Sequence, residues 1–272
     1  MPHFLPDTLP DTLARLVNPG RKKVVAITGS GGKTTLLWYL AQVARQQRVL
    51  VSTTTKLFYP PPTAHDFFLS ELEASALPLA RAGITLGVVP GSFSLTNTDI
   101  ARAFSAPPET TIKLLPLSTQ SLQRLLPLYD HVFIECDGSR MRPLKGWAGH
   151  EPPVPPITDV TVGVLPLWCV GKRLTEGLVH RPDQFCAISG ATMGERLSAD
   201  HVTNLICHPQ GMFRHAVGER VVFFSQSDAL APTEVLRLAR DIAERVLPQT
   251  LPPIPEIRMV AGSARTGTGA AL

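Results

Sequence analysis

The chain is short of charge. Of its 272 residues, 26 are lysine or arginine and 22 aspartate or glutamate, so 18% are charged, where an ordinary domain has about a quarter. Hydrophobic residues make up 44%, a balance that excludes a disordered chain, which needs low hydrophobicity and high charge. The formal charge of +4 is too small for a dedicated nucleic-acid binder and suits a cleft that takes a small anion. Cysteine is sparse: Cys136, Cys169, Cys186 and Cys207 lie far apart with no C-x-x-C pair, which excludes a disulfide scaffold and a zinc ribbon. No apolar run reaches about 18 residues, so no membrane span is expected. Residues 1–10 have neither the basic nor the apolar region of a signal peptide. These absences lead to the expectation of a cytoplasmic globular protein. Proline is in excess, with 26 residues, about twice the usual share.

Strand and helix patterns alternate along the chain. Residues 23–28 read as a buried strand and 29–32 as a glycine loop. Residues 33–46 have helical spacing, with Leu36, Leu37, Leu40, Val43 and Ala44 apolar, and 48–52 read as a second strand. Strand, loop, helix and strand make a βαβ unit, which builds parallel sheets with right-handed crossovers. Further strands are expected at 84–89, 111–115, 131–135, 159–165, 220–224 and 255–261. Helices are expected at 70–82, 118–126, 182–189, 199–206 and 232–246, the last with proline at its first position. Residues 1–20 read as a Pro-rich arm with a short helix at 11–17. Residues 21–272 read as a single domain, in which the part from about 157 is a continuation of the same sheet or a subdomain. Continuation is preferred, because no linker separates the two parts.

The strongest motif is Thr28-Gly29-Ser30-Gly31-Gly32-Lys33-Thr34-Thr35. It follows a strand and opens a helix, the context that a phosphate loop requires. Its glycines let backbone N–H groups point at phosphate oxygens, and the helix N-terminus adds partial positive charge. Lys33 would reach the β- and γ-phosphates, and the Thr34 hydroxyl would ligate Mg2+. The full pattern G-x-x-x-x-G-K-[ST] asks for glycine where Ile27 stands. The shorter form resembles the loop of the Mur ligases, with Ser30 and Gly31 in place of Thr and Asn. The second lysine of the MinD-like class is absent, since Thr28 holds that position.

Downstream, the apolar run Val132-Phe133-Ile134 ends in Glu135, Cys136 and Asp137. A carboxylate at such a strand end holds Mg2+ or orients the attacking water. Glu135 and Asp137 share one side of an extended segment. Asp137 ranks ahead as the metal ligand and Glu135 as the water-orienting base. Ser52-Thr53-Thr54-Thr55-Lys56 ends the second strand, where ligands sit in parallel sheets, so Thr54 and Lys56 are candidate phosphate contacts. Arg140, Arg142 and Lys145 fall within six residues just after the acidic strand end and would grip the γ-phosphate or an anionic substrate. Phe223 to Asp228 stands where GTPases carry N-K-x-D, and Ala261 to Ala264 where they carry S-A-K. Asp228 alone survives of the three defining residues and would contact the base. His201, His208 and His215 are spaced by seven, but Pro209-Gln210-Gly211 breaks the helix between them. Neither these histidines nor the loop residue His150 is assigned a metal.

The glycine loop, then STTTK, ECDGSRMRPLKG, HEPPVP, VGKRL and VHRPD occur in this order. Together they resemble the YqeC-like family over about residues 20–262. That resemblance implies an accessory role, assigned by gene association, in maturation of selenium-dependent molybdenum hydroxylases and selenium cofactor biosynthesis. It also implies a nucleotide-dependent step. It transfers no catalytic residues beyond the phosphate loop, Gly29 to Thr34. The expectation is an α/β P-loop NTPase fold: a mostly parallel sheet with helices on both faces. The protein would use Mg2+ and ATP or GTP, with a molybdenum hydroxylase or its maturation factors as partner. Rivals are an ATP-dependent amide ligase of Mur type and a non-catalytic, nucleotide-switched chaperone or metal or selenium carrier.

Overall fold

The computed structural model describes residues 23–76, 80–90, 113–250 and 257–271. The expected arm, with its helix at 11–17, lies outside the described residues. In chain order the elements are β1 (Lys23–Gly29), α1 (Lys33–Val43), β2 (Arg48–Thr53), β3 (Leu57–Phe58), β4 (Phe67–Leu69), α2 (Glu71–Ser75), β5 (Gly83–Gly87), β6 (Val89–Pro90) and β7 (Lys113–Leu115). They continue with α3 (Thr119–Leu125), β8 (His131–Glu135), β9 (Leu144–Lys145), β10 (Val160–Pro166), β11 (Val179–His180), α4 (Pro182–Ser189), α5 (Ala199–Cys207), β12 (Glu219–Ser225), α6 (Pro232–Val246), β13 (Ile257–Ser263) and β14 (Thr268–Ala271). No helix among the described residues is long and apolar enough to cross a membrane.

Nine strands form one sheet in the order β14-β13-β12-β10-β1-β8-β2-β5-β4. Every neighbouring pair is parallel except β13 with β14. The protein is therefore α/β with a large, mostly parallel central sheet. Parallel sheets are covered on both faces, so their strands read as unbroken apolar runs, and β8 and β10 are buried along their whole length. Register alternates the side chains between faces. Val25, Ile27, Val162, Val164, Val221 and Phe223 pack on one side with Leu36, Leu37, Leu40 and Ala41 of α1. A small antiparallel sheet of β3, β7 and β6 adds Leu57 and Leu114 to that side. Val24, Ala26 and Ile134 face the other side, against Ala74 of α2 and Leu122 and Leu125 of α3. Further along that side, Leu165, Val222, Phe224 and Met259 meet α4, α5 and α6. Each fully buried leucine of α1 contributes about 1.5–3 kcal/mol through the apolar surface it removes from water.

Two expected helices are shorter than their apolar spacing implied. The first, 33–46, ends at Val43. The second, 70–82, closes after Ser75 although a capping box of Ser70 and Glu73 starts it well. Pro78 has no N–H to continue such a helix and disfavours helical geometry at the residue before it; residues 77–79 lie outside the described residues. The expected loop 137–156 contains β9, which pairs in parallel with β11. That pairing decides the fate of Lys145.

Candidate phosphate-binding site

In the nine-stranded sheet β8, β2, β5 and β4 lie on one side of β1, and β10, β12, β13 and β14 on the other. Strand order thus reverses at β1, and ligands of open α/β sheets bind beyond the carboxyl ends of strands at such a point. The glycine loop leaves the carboxyl end of β1 there. Gly29 adopts φ +96° and Gly31 φ +66°, conformations that side chains rarely tolerate. A Cβ on Gly29 would sit 2.2 Å from the Val164 carbonyl oxygen, and one on Gly31 2.5 Å from Pro166 Cγ. The loop is thereby pressed against the end of β10, where Ser30 N–H donates to Val164 O at 2.9 Å. No side chain caps α1 and no acidic residue lies in its first turn. Its first N–H groups thus keep the capacity to bind an anion.

Lys33 is buried. Its Nζ donates to Gly29 O at 2.8 Å and lies 3.5 Å from Asp137 Oδ1. The ammonium is folded back over the loop it would serve. Thr34 is exposed, and its Oγ1 donates to Glu135 Oε2 at 2.8 Å. Burial pushes the Glu135 carboxyl above its usual range. The negative charge of Asp137 adds to this, against the opposing pull of Lys33 and the Thr34 hydroxyl.

The structure parts the two carboxylates. Asp137 reaches no solvent, and its Oδ2 accepts from Thr28 Oγ1 at 3.0 Å, Gly29 N–H at 3.2 Å, Lys145 Nζ at 3.0 Å and Trp147 Nε1 at 3.0 Å. Burial alone would raise its pKa. Lys33, Lys145 and the hydrogen bonds outweigh that and hold Asp137 below the usual aspartate range. Its Oδ1 is buried without a hydrogen bond among the described residues and faces Lys33.

Lys145 departs from the expectation of an anion-gripping loop cation. It is buried, its ammonium bonded to Asp137 and to Gly138 O at 2.8 Å and lying 3.4 Å from Glu151 Oε2. Arg181 Nη1 donates to the same Glu151 oxygen at 2.7 Å. The pairing of Leu144 and Lys145 with Val179 and His180 drags the lysine inward. Trp147, Glu151 and Arg181 were not singled out from sequence, although Glu151 and Arg181 sit inside the HEPPVP and VHRPD blocks.

The hydroxyls at the end of β2 serve the sheet. Thr53 Oγ1 donates to Glu135 O at 2.9 Å and Thr54 Oγ1 to Cys136 O at 3.1 Å, so both tie β2 to β8, and neither lines the cleft. Lys56 is exposed and does line the cleft. That cleft has a volume of about 1010 Å³ and joins the glycine loop, Lys33, Thr34 and Glu135 to Arg140 and Arg142.

A second, smaller pocket of about 280 Å³ adjoins the cleft at Gly32, Thr35 and Gln226. Gly32, Thr35, Gln226, Asp228, Ser263 and Arg265 line it. The two late segments therefore meet in this pocket. Asp228 is engaged there: a Ser263 hydroxyl hydrogen bond and the Arg265 guanidinium hold its pKa low. The three histidines make separate contacts. His201 Nδ1 accepts from Ser198 N–H, His208 Nδ1 accepts from Gln210 N–H, and His215 Nε2 approaches Gly149 O at 3.3 Å. Helix α5 ends at Cys207, before the second of them.

Comparison with known proteins extends what the motif blocks imply. The YqeC protein family model matches residues 25–183, a span that holds the glycine loop, Glu135, Asp137 and the buried cluster through Arg181. A relative from Escherichia coli (strain K12), named "Uncharacterized protein YqeC", is 32% identical over 240 residues, covering 84% of this chain and 88% of the relative. The chain belongs to the YqeC family.

Proposed function

We propose that this chain is a P-loop protein that binds a nucleoside triphosphate with Mg2+ and hydrolyses it or transfers its phosphoryl group. We also propose that it acts in the cytoplasm as an accessory factor in maturation of selenium-dependent molybdenum hydroxylases, a role that rests on the family resemblance. The observation that carries the nucleotide reading is the Thr34 hydroxyl bonded to Glu135 Oε2 at 2.8 Å, at the mouth of a glycine loop whose lysine is beside it.

Hydroxyl and carboxylate oxygens are the hard donors that Mg2+ prefers, so Thr34 and Glu135 fit as its holders. When bound, Mg2+ neutralises charge on the β- and γ-oxygens. The rest is the work of the chain. Lys33 turns from Gly29 O to the phosphates, and the uncapped N–H groups of α1 and the loop take the remaining oxygens. Glu135, with its pKa raised by burial, is suited to accept a proton from an attacking hydroxyl. Asp137 keeps Thr28, Gly29 and Lys33 in register and does not touch the ligand.

Removing the lysine tests this. Lys33→Ala is expected to weaken Mg2+-nucleotide binding by roughly 10- to 100-fold, the worth of one charged hydrogen bond. Thr34→Ala is expected to lose mainly the Mg2+-dependent part. Equilibrium binding on variants folded by circular dichroism checks both, and wild-type affinity in Lys33→Ala rejects the assignment.

The smaller pocket suits a base. With Ser225 and Gln226 where Asn and Lys would stand, one donor–acceptor pair at Asp228 is what remains, and Arg265 competes for it. ATP and GTP affinities are therefore expected to lie within about tenfold, or about 1.4 kcal/mol, of each other. Asp228→Ala should erase any guanine preference. A strong ATP preference that survives this substitution moves base recognition elsewhere.

A further inference from the structure

The larger cleft is more than a triphosphate needs. Its volume of about 1010 Å³ stands at the top of the range of roughly 300–1,000 Å³ that ordinary ligand sites fill, and the smaller pocket adjoins it across Gly32, Thr35 and Gln226, adding room of its own. Five cations line it, Lys33, Lys56, Lys113, Arg140 and Arg142, against one carboxylate, Glu135. They come from different parts of the fold. Lys56 precedes β3 and Lys113 begins β7, in the small sheet, while Arg140 and Arg142 follow β8.

Their states differ. Arg142 donates to Gly177 O at 2.6 Å, and Lys113 lies 5.7 Å from the centre of the Phe58 ring. Lys56 and Arg140 are exposed and show no hydrogen bond or ion pair among the described residues. Arg140 and Met141 both hold positive φ, +49° and +60°. Such strain in non-glycine residues persists only where the surroundings enforce it, and it gathers at ligand clamps. Between the cations lie Phe58, 42% exposed, and Met141, 85% exposed. Trp168 also lines the cleft, its indole N–H held by Gln226 Oε1 at 2.5 Å.

We infer that this cleft is the site of a second substrate: a small polyanion with a planar, apolar part, seated beside the terminal phosphate. The inference rests on the nucleotide reading for the word second. Unpaired cations lining one concave cleft concentrate a polyanion. Arginine forks take phosphate or carboxylate oxygens in pairs. Exposed Phe58 and Met141 and the fixed Trp168 give a ring its apolar contact. A bare hydrolase has no use for such a surface, because water needs neither charge nor ring to hold it.

The probe is 1-naphthyl phosphate, titrated calorimetrically into the full chain already saturated with Mg2+ and the β,γ-imido analogue of ATP. The expected result is a ternary complex with one further site. The Lys56→Gln/Arg140→Gln double variant, its fold checked by circular dichroism, should weaken the probe by at least ~10-fold, the worth of one charged hydrogen bond. If the analogue displaces the probe, both share one phosphate site and the inference is wrong. Probe affinity unchanged in the double variant also overturns it. If the analogue fails to bind while the probe still binds through Lys56 and Arg140, the cleft stands as a polyanion site and the nucleotide reading falls.

Discussion

Asp137→Ala is expected to destabilise the fold by about 3–5 kcal/mol, the usual effect of removing one partner from a buried ion pair. The carboxylate is fully buried and gathers four donors on one oxygen. Its loss leaves the Lys145 ammonium in the interior with Gly138 O and the Glu151 carboxylate 3.4 Å away, the latter shared with Arg181. It also strands the Trp147 indole N–H and the Thr28 hydroxyl. At roughly 2–4 °C per kcal/mol for a chain of this size, the melting temperature should fall by roughly 6–20 °C. Asp137→Asn keeps the shape but not the charge and should recover only part of this. A calorimetric scan measures all three proteins. An alanine variant that melts with the wild type would show that the cluster contributes nothing to stability.

The same residue sets a pH dependence. The folded-state pKa of Asp137 lies below its unfolded value, so its stabilisation is complete above the ordinary aspartate range and is lost as pH falls through the folded value. Glu135 runs the other way. Its folded pKa is raised, so its contribution is present below the ordinary glutamate range and is lost as pH rises through the folded value. The acid limb of the stability profile should therefore flatten in Asp137→Asn, while Glu135→Gln should gain stability relative to the wild type near neutral pH.

Turnover provides the second large effect. Glu135→Gln is expected to lower phosphate release from a Mg2+-nucleoside triphosphate by roughly 10²–10⁴-fold, the range for losing a positioned acid–base group, while nucleotide binding changes by much less. The amide can still accept the Thr34 hydroxyl, so the loop keeps its shape and only charge and proton affinity are lost. A loss felt in the transition state appears in kcat rather than KM. Steady-state phosphate release with both parameters resolved checks it. Equal kcat in wild type and variant would make this strand end merely structural.

The loop and its carboxylate were legible because their signals are local. A buried parallel strand is an apolar run, three glycines follow it, and a lysine opens an amphipathic helix. Glu135 was legible as the end of a second such run. Which carboxylate faces the loop mouth was not. Asp137 finds its donors 108 and 109 residues upstream and 8 and 10 residues downstream, partners that no periodicity reports. Lys145 was misread for the same reason. Three cations in six residues look like one surface until β9 pairs with a strand 35 residues further on and turns the last of them inward. The threonines at the end of β2 show the converse: polar side chains at a strand end can serve the neighbouring strand's carbonyls instead of lining the cleft. The cleft with Lys113, Phe58 and Trp168 is assembled from three distant segments and had no sequence signal.

The most direct measurement is a calorimetric titration of ATP and of GTP into the wild-type chain, each with and without Mg2+. Saturable one-to-one binding that strengthens with Mg2+ is the predicted result, since the Thr34 hydroxyl and the Glu135 carboxylate meet at the mouth of the loop. No saturable heat with either nucleotide, with Mg2+ present and the fold intact, would contradict it.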